Sequence, residues 1–223
     1  MGRFLSRPNR FIAQVEISGR TETVHVKNTG RCRELLVPDC RVFLEVADSQ
    51  KRRTKFDLIA VEKETPGGVL LVNMDSQAPN KAAWEWLETG AVFGKDALIR
   101  REVTYGNSRF DLCAETSSGI SYMEVKGVTL ERDRQVFFPD APTERGVKHL
   151  NELIAAKRAG FGAYVLFVVQ MQGVVSFSPN DETHPEFGAA LRNAAENGVE
   201  IMAVQCRVTP DSMEIDSPVP VIL

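Results

Sequence analysis

Seven consecutive apolar residues, Ala163-Tyr-Val-Leu-Phe-Val-Val169, constrain this chain more than any other segment. The run is far short of the roughly 18 residues a membrane-spanning helix needs. Lacking alternation, it has no solvent side, which is how a central strand covered by helices on both faces reads. The flanks agree. Thr143 to Arg158 carries Val147, Leu150, Leu153 and Ile154 at helical spacing and stops at Gly160. Glu186 to Glu196 reads as a further helix ended by Gly198, and Glu200 to Val208 as a strand. Upstream, a helix capped by Asn80 runs to Glu88 and closes at Gly90, with Ala83, Trp84 and Leu87 on one face. Three strands follow, Leu98 to Tyr105, Arg109 to Glu115 and Ser121 to Leu130, turned at Gly106-Asn107 and Ser118-Gly119. Helix and strand in alternation predict an α/β sandwich.

The first third is patterned differently. Phe11 to Ile17, Val24 to Val26, Val42 to Val46, Phe56 to Val61 and Val69 to Val72 are short apolar runs, with tight turns at Ser18-Gly19 and Gly67-Gly68. Five short strands in so little chain suit a small antiparallel barrel, the OB type first and an SH3-like barrel second. The polar stretch Asp75 to Lys81, with Pro79-Asn80, marks the expected boundary between domains 1–78 and 79–223.

Composition narrows the functional classes. With 43% hydrophobic residues in 223 the chain has enough apolar material for a core, which excludes general disorder. The start, Met1-Gly-Arg-Phe-Leu-Ser-Arg-Pro, offers no apolar leader, so the expectation is a soluble, cytoplasmic protein with no membrane partner. Cys32, Cys40, Cys113 and Cys206 stand far apart with no CxxC spacing, which suggests neither a zinc site nor a disulfide scaffold. The net charge of −3 hides an asymmetry. Residues 1–60 hold twelve Lys/Arg against seven Asp/Glu, giving +5, while the remainder holds 15 against 23, giving −8. Positive residues cluster as Arg3, Arg7 and Arg10; as Lys27, Arg31 and Arg33; and as Lys51, Arg52, Arg53 and Lys55. Such clusters neutralise phosphates regardless of base sequence, so non-specific DNA is the expected partner, against the plainer reading of a solvated surface.

One constellation could carry chemistry. In Tyr122-Met-Glu-Val-Lys-Gly127, alternation puts Glu124 and Lys126 on the same strand face. Asp111 lies on the preceding strand. If it turns the same way, two carboxylates and an ammonium converge as a Mg²⁺ or Mn²⁺ phosphodiesterase requires, with Asp111 and Glu124 as ligands and Lys126 orienting or deprotonating water. Asp followed one strand later by Glu-x-Lys, in helix-strand-strand-strand-helix-strand order, is the minimal signature of the PD-(D/E)XK nuclease fold. A further carboxylate could come from the preceding helix, where phasing does not separate Glu85 from Glu88. Downstream, Arg145 and Lys148 share the polar face of a helix whose N-terminus favours phosphate. His149, at the edge of the apolar stripe, reads as a packed structural residue, and His25 and His184 carry no signal. The non-functional alternative is a buried salt-bridge cluster, disfavoured because desolvating ions costs several kcal/mol each.

These residues resemble the sugar fermentation stimulation protein A family. The resemblance runs through Asn9-Arg-Phe, Asn28-Thr-Gly-Arg with Glu34-Leu-Leu, Pro79-Asn80, Glu102-Val-Thr-Tyr-Gly, Ser108-Arg-Phe-Asp and Glu124-Val-Lys-Gly-Val-Thr-Leu. It continues in Phe138-Pro-Asp-Ala-Pro-Thr-Glu-Arg-Gly-Val-Lys-His-Leu, Phe177-Ser-Pro and Pro218-Val-Pro-Val-Ile-Leu. It implies an N-terminal OB-like barrel joined to a nuclease-like α/β domain, non-specific DNA binding and a regulatory role in sugar, especially maltose, metabolism. It places Asp111, Glu124 and Lys126 on the nuclease-like positions and favours Glu85 over Glu88. Two departures stand out: Gly127 where the family often has serine, and Asp140-Ala-Pro-Thr where it commonly has Asp-Ala-Val-Thr. Whether the site cleaves DNA, and whether the protein works as a homodimer, stay open at this level.

Overall fold

The computed structural model describes residues 1–28, 30–47, 53–106 and 108–223. Six strands, β1 (Gly2–Asn9), β2 (Ile12–Ile17), β3 (Arg20–Val26), β4 (Arg41–Val46), β5 (Phe56–Thr65) and β6 (Gly68–Asn73), form one sheet in the order β3-β2-β1-β4-β5-β6. A parallel pairing of β3 with β5, His25 to Asp57 and Val26 to Leu58, closes β1 to β5 into a five-stranded barrel. Its interior holds Phe4, Ala13, Val15, Val24, Val26, Val42, Leu58 and Val61. The expected barrel is present, but with a different first strand. β1 escaped the sequence reading because only Phe4 of its residues is buried and Pro8 interrupts it. Correspondingly β6, read as the fifth barrel strand, instead extends β5 as an outer hairpin.

The second unit begins with α1 (Ala78–Glu88), followed by β7 (Leu98–Tyr105), β8 (Ser108–Thr116), β9 (Gly119–Val128), β10 (Leu130–Arg132) and β11 (Gln135–Phe138). Then come α2 (Glu144–Arg158), β12 (Gly162–Val169), β13 (Ser176–Pro179), α3 (Pro185–Glu196), β14 (Glu200–Val208) and β15 (Met213–Pro218). The main sheet runs β15-β14-β12-β9-β8-β7, and β10-β11-β13 form a small second sheet. β12 is parallel to both neighbours, and its residues from Val165 to Val169 are fully buried, as the apolar run requires. One face of the sheet packs on α1 through Ala83, Leu87, Leu112, Met123, Val125 and Leu166. The other packs on α2 and α3 through Leu150, Leu153, Phe167 and Phe187, in a core continuous with the barrel interior.

Local chemistry sets the helix starts. Thr143 caps α2, its Oγ1 accepting from the Gly146 amide at 3.1 Å, while Lys157 and Arg158 complement the dipole at the other end. α1 departs from expectation. Its cap position is Gln77, without a side-chain bond, and Asn80 lies inside the first turn with its amide engaged elsewhere.

Two polar contacts join the units close to the site. Gln170, 1% exposed, donates from Nε2 to the Asn73 and Asp75 carbonyls and to Asn73 Oδ1, all within 3.1 Å. The Arg31 amide donates to Asp140 Oδ2 at 3.0 Å, beside Gly30, where any Cβ would collide with that carboxylate. This explains the glycine in Asn28-Thr-Gly-Arg.

Candidate active site

Met123 and Val125 belong to the α1-side core and Tyr122 and Val128 to the α2-side core, so alternation along β9 aims Glu124 and Lys126 at α2. Lys126 Nζ donates to Glu124 Oε1 at 2.5 Å. The same oxygen takes a hydrogen bond from Nδ1 of His149, which projects from α2 and is buried. Arg145, one turn earlier, donates from Nε to His149 Nε2 at 3.2 Å. Glu124 is 3% exposed, and its other oxygen, Oε2, is buried with no hydrogen-bond partner among the described residues.

Asp111 occupies a break in the sheet. The β7–β8 ladder pairs Arg101 with Leu112 and Val103 with Phe110, and the pair between them, Glu102 with Asp111, is missing. Glu102 adopts φ 57, a left-handed backbone that is costly for a glutamate. Freed from the ladder, the Asp111 carboxylate is held from two sides. Oδ2 accepts from the Val125 amide at 2.8 Å and Oδ1 from Asn80 Nδ2 at 2.8 Å. Asp111 is thereby anchored to the strand segment between Glu124 and Lys126.

The electrostatics differ between the two acids. Burial, then the charge of Glu124, pushes the Asp111 carboxyl above its usual range, against the amide of Val125 and the charge of Lys126. Burial would also raise Glu124. There the hydrogen bond from His149, with the charge and hydrogen bond of Lys126, outweighs burial and holds the carboxyl below the usual range. The site thus keeps Glu124 as a carboxylate with one unsatisfied oxygen.

Other sequence candidates lie elsewhere. Glu85 is not brought to these residues: it pairs with Lys81 one turn away and lines a cleft of about 550 Å³ with Glu45, Asp75 and Glu214. On α1 it stands five residues from Asn80, more than a third of a turn round the helix from the side chain that reaches Asp111. Among the basic residues, Arg7 is engaged internally, donating to the carbonyls of Arg10, Asn28, Gly30 and Arg31 at 2.7–3.0 Å. Lys27 pairs with Asp75 at 2.5 Å. Arg10, Arg31, Arg33, Arg53, Lys55, Arg145 and Lys148 are exposed, with Arg10 over the Phe11 ring and Lys148 3.5 Å from Glu152. Lys51 and Arg52 lie outside the described residues. The Arg31–Asp140 contact sets the barrel loop bearing Arg31 and Arg33 against the segment leading into α2 and Arg145.

Sequence reasoning missed Asn80 as the partner of Asp111 and His149 as the partner of Glu124. For His149 a signal existed, since Arg145 and His149 are four apart and share a helix side. For Asn80 a good capping pattern concealed the role.

Comparison with known proteins gives the fold its relatives. Residues 77–212 match the family model described as the sugar fermentation stimulation protein RE domain, and residues 5–87 the SfsA N-terminal OB domain. A sugar fermentation stimulation protein homolog of Clostridium beijerinckii is 55% identical over 222 residues, covering 100% of this chain and 96% of that one. Another, from Desulfitobacterium hafniense, is 56% identical over 213 residues, 96% of this chain and 91% of the other. The solved structure of Pyrococcus furiosus SfsA, in complex with Ca²⁺, matches with a TM-score of 0.88 and 28% identity, covering 100% of this chain and 95% of that one. The barrel is accordingly an OB domain and the α/β unit a restriction endonuclease-like domain. From barrel to nuclease-like sheet, the chain belongs to the sugar fermentation stimulation protein family.

Proposed function

We propose that the chain is a divalent-cation-dependent phosphodiester hydrolase acting on DNA that its basic residues grip by the backbone. The observation that carries this reading is Oε2 of Glu124, buried and without a hydrogen-bond partner among the described residues, on a carboxylate whose charge acts on Asp111. A buried carboxylate oxygen without a partner is costly, and a hard cation satisfies it. Among the described residues no three His, Cys, Asp or Glu side chains assemble a complete metal cage. Mg²⁺ does not need one, since it typically takes one or two carboxylates and completes its shell with water and substrate phosphate. The Ca²⁺ of the Pyrococcus furiosus relative supports a divalent site in this fold.

Asp111 and Glu124 would hold Mg²⁺ or Mn²⁺, which when bound polarises phosphoryl oxygens and lowers the pKa of water. Asn80 and the Val125 amide keep Asp111 in place. Lys126, with its ammonium at the edge of the site, orients the attacking water and takes part in its deprotonation. Exposed Arg31, Arg33 and Arg145 flank the seam and supply charge for the phosphate backbone.

Purified protein incubated with supercoiled, linear and single-stranded DNA in Mg²⁺, Mn²⁺ or EDTA tests this. Metal-dependent cleavage that Asp111→Ala and Lys126→Ala abolish, with DNA binding retained, is the expected result. Absence of cleavage in every metal overturns the hydrolase and leaves the second reading, a non-specific DNA-binding protein, which the exposed Arg33, Arg53 and Lys55 favour. The regulatory role in sugar metabolism implied by the resemblance belongs to that second reading. Affinity independent of salt would remove backbone binding as well.

A further inference from the structure

We infer that His149 is a positioning residue for the metal ligand. Its Nδ1–H occupies Oε1 of Glu124, so that Oε2 is left to the cation. The inference rests on the metal-dependent reading above and adds to it the residue that divides the labour between the two carboxylate oxygens.

Three observations carry it. First, the proton on the ring is located by its neighbours. The Arg145 guanidinium is a donor only, so His149 Nε2, 3.2 Å from Arg145 Nε, must accept. The ring proton is therefore on Nδ1, where it donates to Glu124 Oε1. Second, among the described residues Oε1 receives two donors while Oε2 receives none, although both belong to one buried carboxylate. A carboxylate free to rotate would share its donors; this one is fixed with a vacant side. Third, the two donors differ in build. Lys126 reaches Oε1 through a long aliphatic stem, and in its proposed role it turns from Oε1 to water. His149 is a ring buried on a helix whose neighbouring residues Leu150, Leu153 and Ile154 are in the core. When Lys126 turns to water, His149 alone keeps Glu124 from swinging round. Outer partners of metal-bound carboxylates and imidazoles commonly fix ligand orientation in this way, and their loss typically weakens metal binding about 10–100-fold.

Mn²⁺ titration of the full chain by calorimetry, without DNA, tests the role independently of catalysis. His149→Leu should weaken Mn²⁺ binding about 10–100-fold. His149→Asn, which restores an N–H near the place of Nδ1, should recover affinity to within about threefold of wild type, which a merely space-filling histidine would not require. Wild-type affinity in His149→Leu overturns the inference. Glu124→Gln separates the two levels: wild-type Mn²⁺ binding in that variant means that the metal reading itself is wrong. Should circular dichroism show His149→Leu unfolded, nitrogen-15 NMR of the wild-type ring decides instead. A proton on Nδ1 is expected, with loss of that single tautomer and several-fold weaker Mn²⁺ binding in the surface variant Arg145→Ala. A proton on Nε2 in the wild type overturns the inference.

Discussion

Two buried lysine–glutamate pairs, Lys63–Glu131 and Lys126–Glu124, have the same 2.5 Å separation and do opposite things. Lys63 stands on β5 of the barrel and Glu131 on β10 of the α/β unit, so their bond ties the two units together across 68 residues of chain. Glu131 is satisfied at both oxygens, Oε2 by Lys63 and Oε1 by the Arg134 amide at 2.5 Å, and Lys63 also donates to the Glu131 carbonyl at 2.7 Å. Lys126 and Glu124 are two residues apart on a single strand, so their bond closes no distant part of the fold. Glu124 moreover keeps one buried oxygen without a partner among the described residues. A scaffold explains the first pair and not the second. Burial of charge is common to both, and a vacant buried oxygen, which Glu34 and Glu152 also carry, marks the site only together with Lys126 on the same strand face and the charge of Glu124 acting on Asp111.

Breaking each pair should separate the two roles. The largest effect is expected from Lys126→Ala, which should reduce metal-dependent cleavage by on the order of 10²-fold or more. Lys63→Ala should instead cost about 3 kcal/mol in urea unfolding and leave the cleavage rate of the folded protein within about threefold of wild type. A cleavage loss in Lys63→Ala as large as in Lys126→Ala would erase the distinction.

Metal linkage sharpens it from the carboxylate side. Ca²⁺ at about 100 times its Kd should stabilise the wild type by about 2.7 kcal/mol, raising Tm by about 5–10 °C. Glu131→Gln should keep that rise, from a lower starting Tm, and Glu124→Gln should lose it. The same contrast, internal against outward, applies to the arginines. Arg7→Ala removes four bonds to backbone carbonyls and should destabilise by about 2 kcal/mol. Arg33→Ala should leave stability alone and reduce the slope of log affinity against log salt by about 1. The smallest effect belongs to Glu85→Gln, whose exposed pair with Lys81 contributes no more than about 0.5 kcal/mol. Cleavage should stay within about twofold, and a loss comparable to Asp111→Ala would return Glu85 to the site.

Much of the architecture was legible because burial follows periodicity. The β12 run, the α2 stripe and the alternation around Glu124 each report how many faces of an element meet the core. Elements that satisfy few apolar contacts were illegible. β1 buries one large side chain, β15 alternates half-buried with exposed residues along an edge, and the β10–β11 hairpin turns on Asp133 and Arg134 at φ 51 and 65. That turn takes a left-handed backbone usually signalled by Asn or Gly, so Asp-Arg gave no warning. Gly127 is the converse case, a visible departure whose reason was hidden. A side chain there would meet Gln170 Oε1 at 2.5 Å and Pro79 Cγ at 2.8 Å, where the barrel connection packs on β9.

By itself, the amino-acid order determined which residues share a strand face and which helices flank it, since these follow from local geometry of 2 and 3.6 residues per repeat. It therefore placed Glu124 and Lys126 together and named Asp111 as their neighbour. Tertiary structure decided the rest: that Asn80 serves Asp111 instead of its own helix, that Glu85 faces another cleft, and that His149 reaches Glu124 across 25 residues. Those outcomes depend on which donor a buried carboxylate finds once helices and sheet have packed. That competition is settled in three dimensions, where hydrogen-bond partners are chosen by distance and solvent exclusion and not by spacing along the chain.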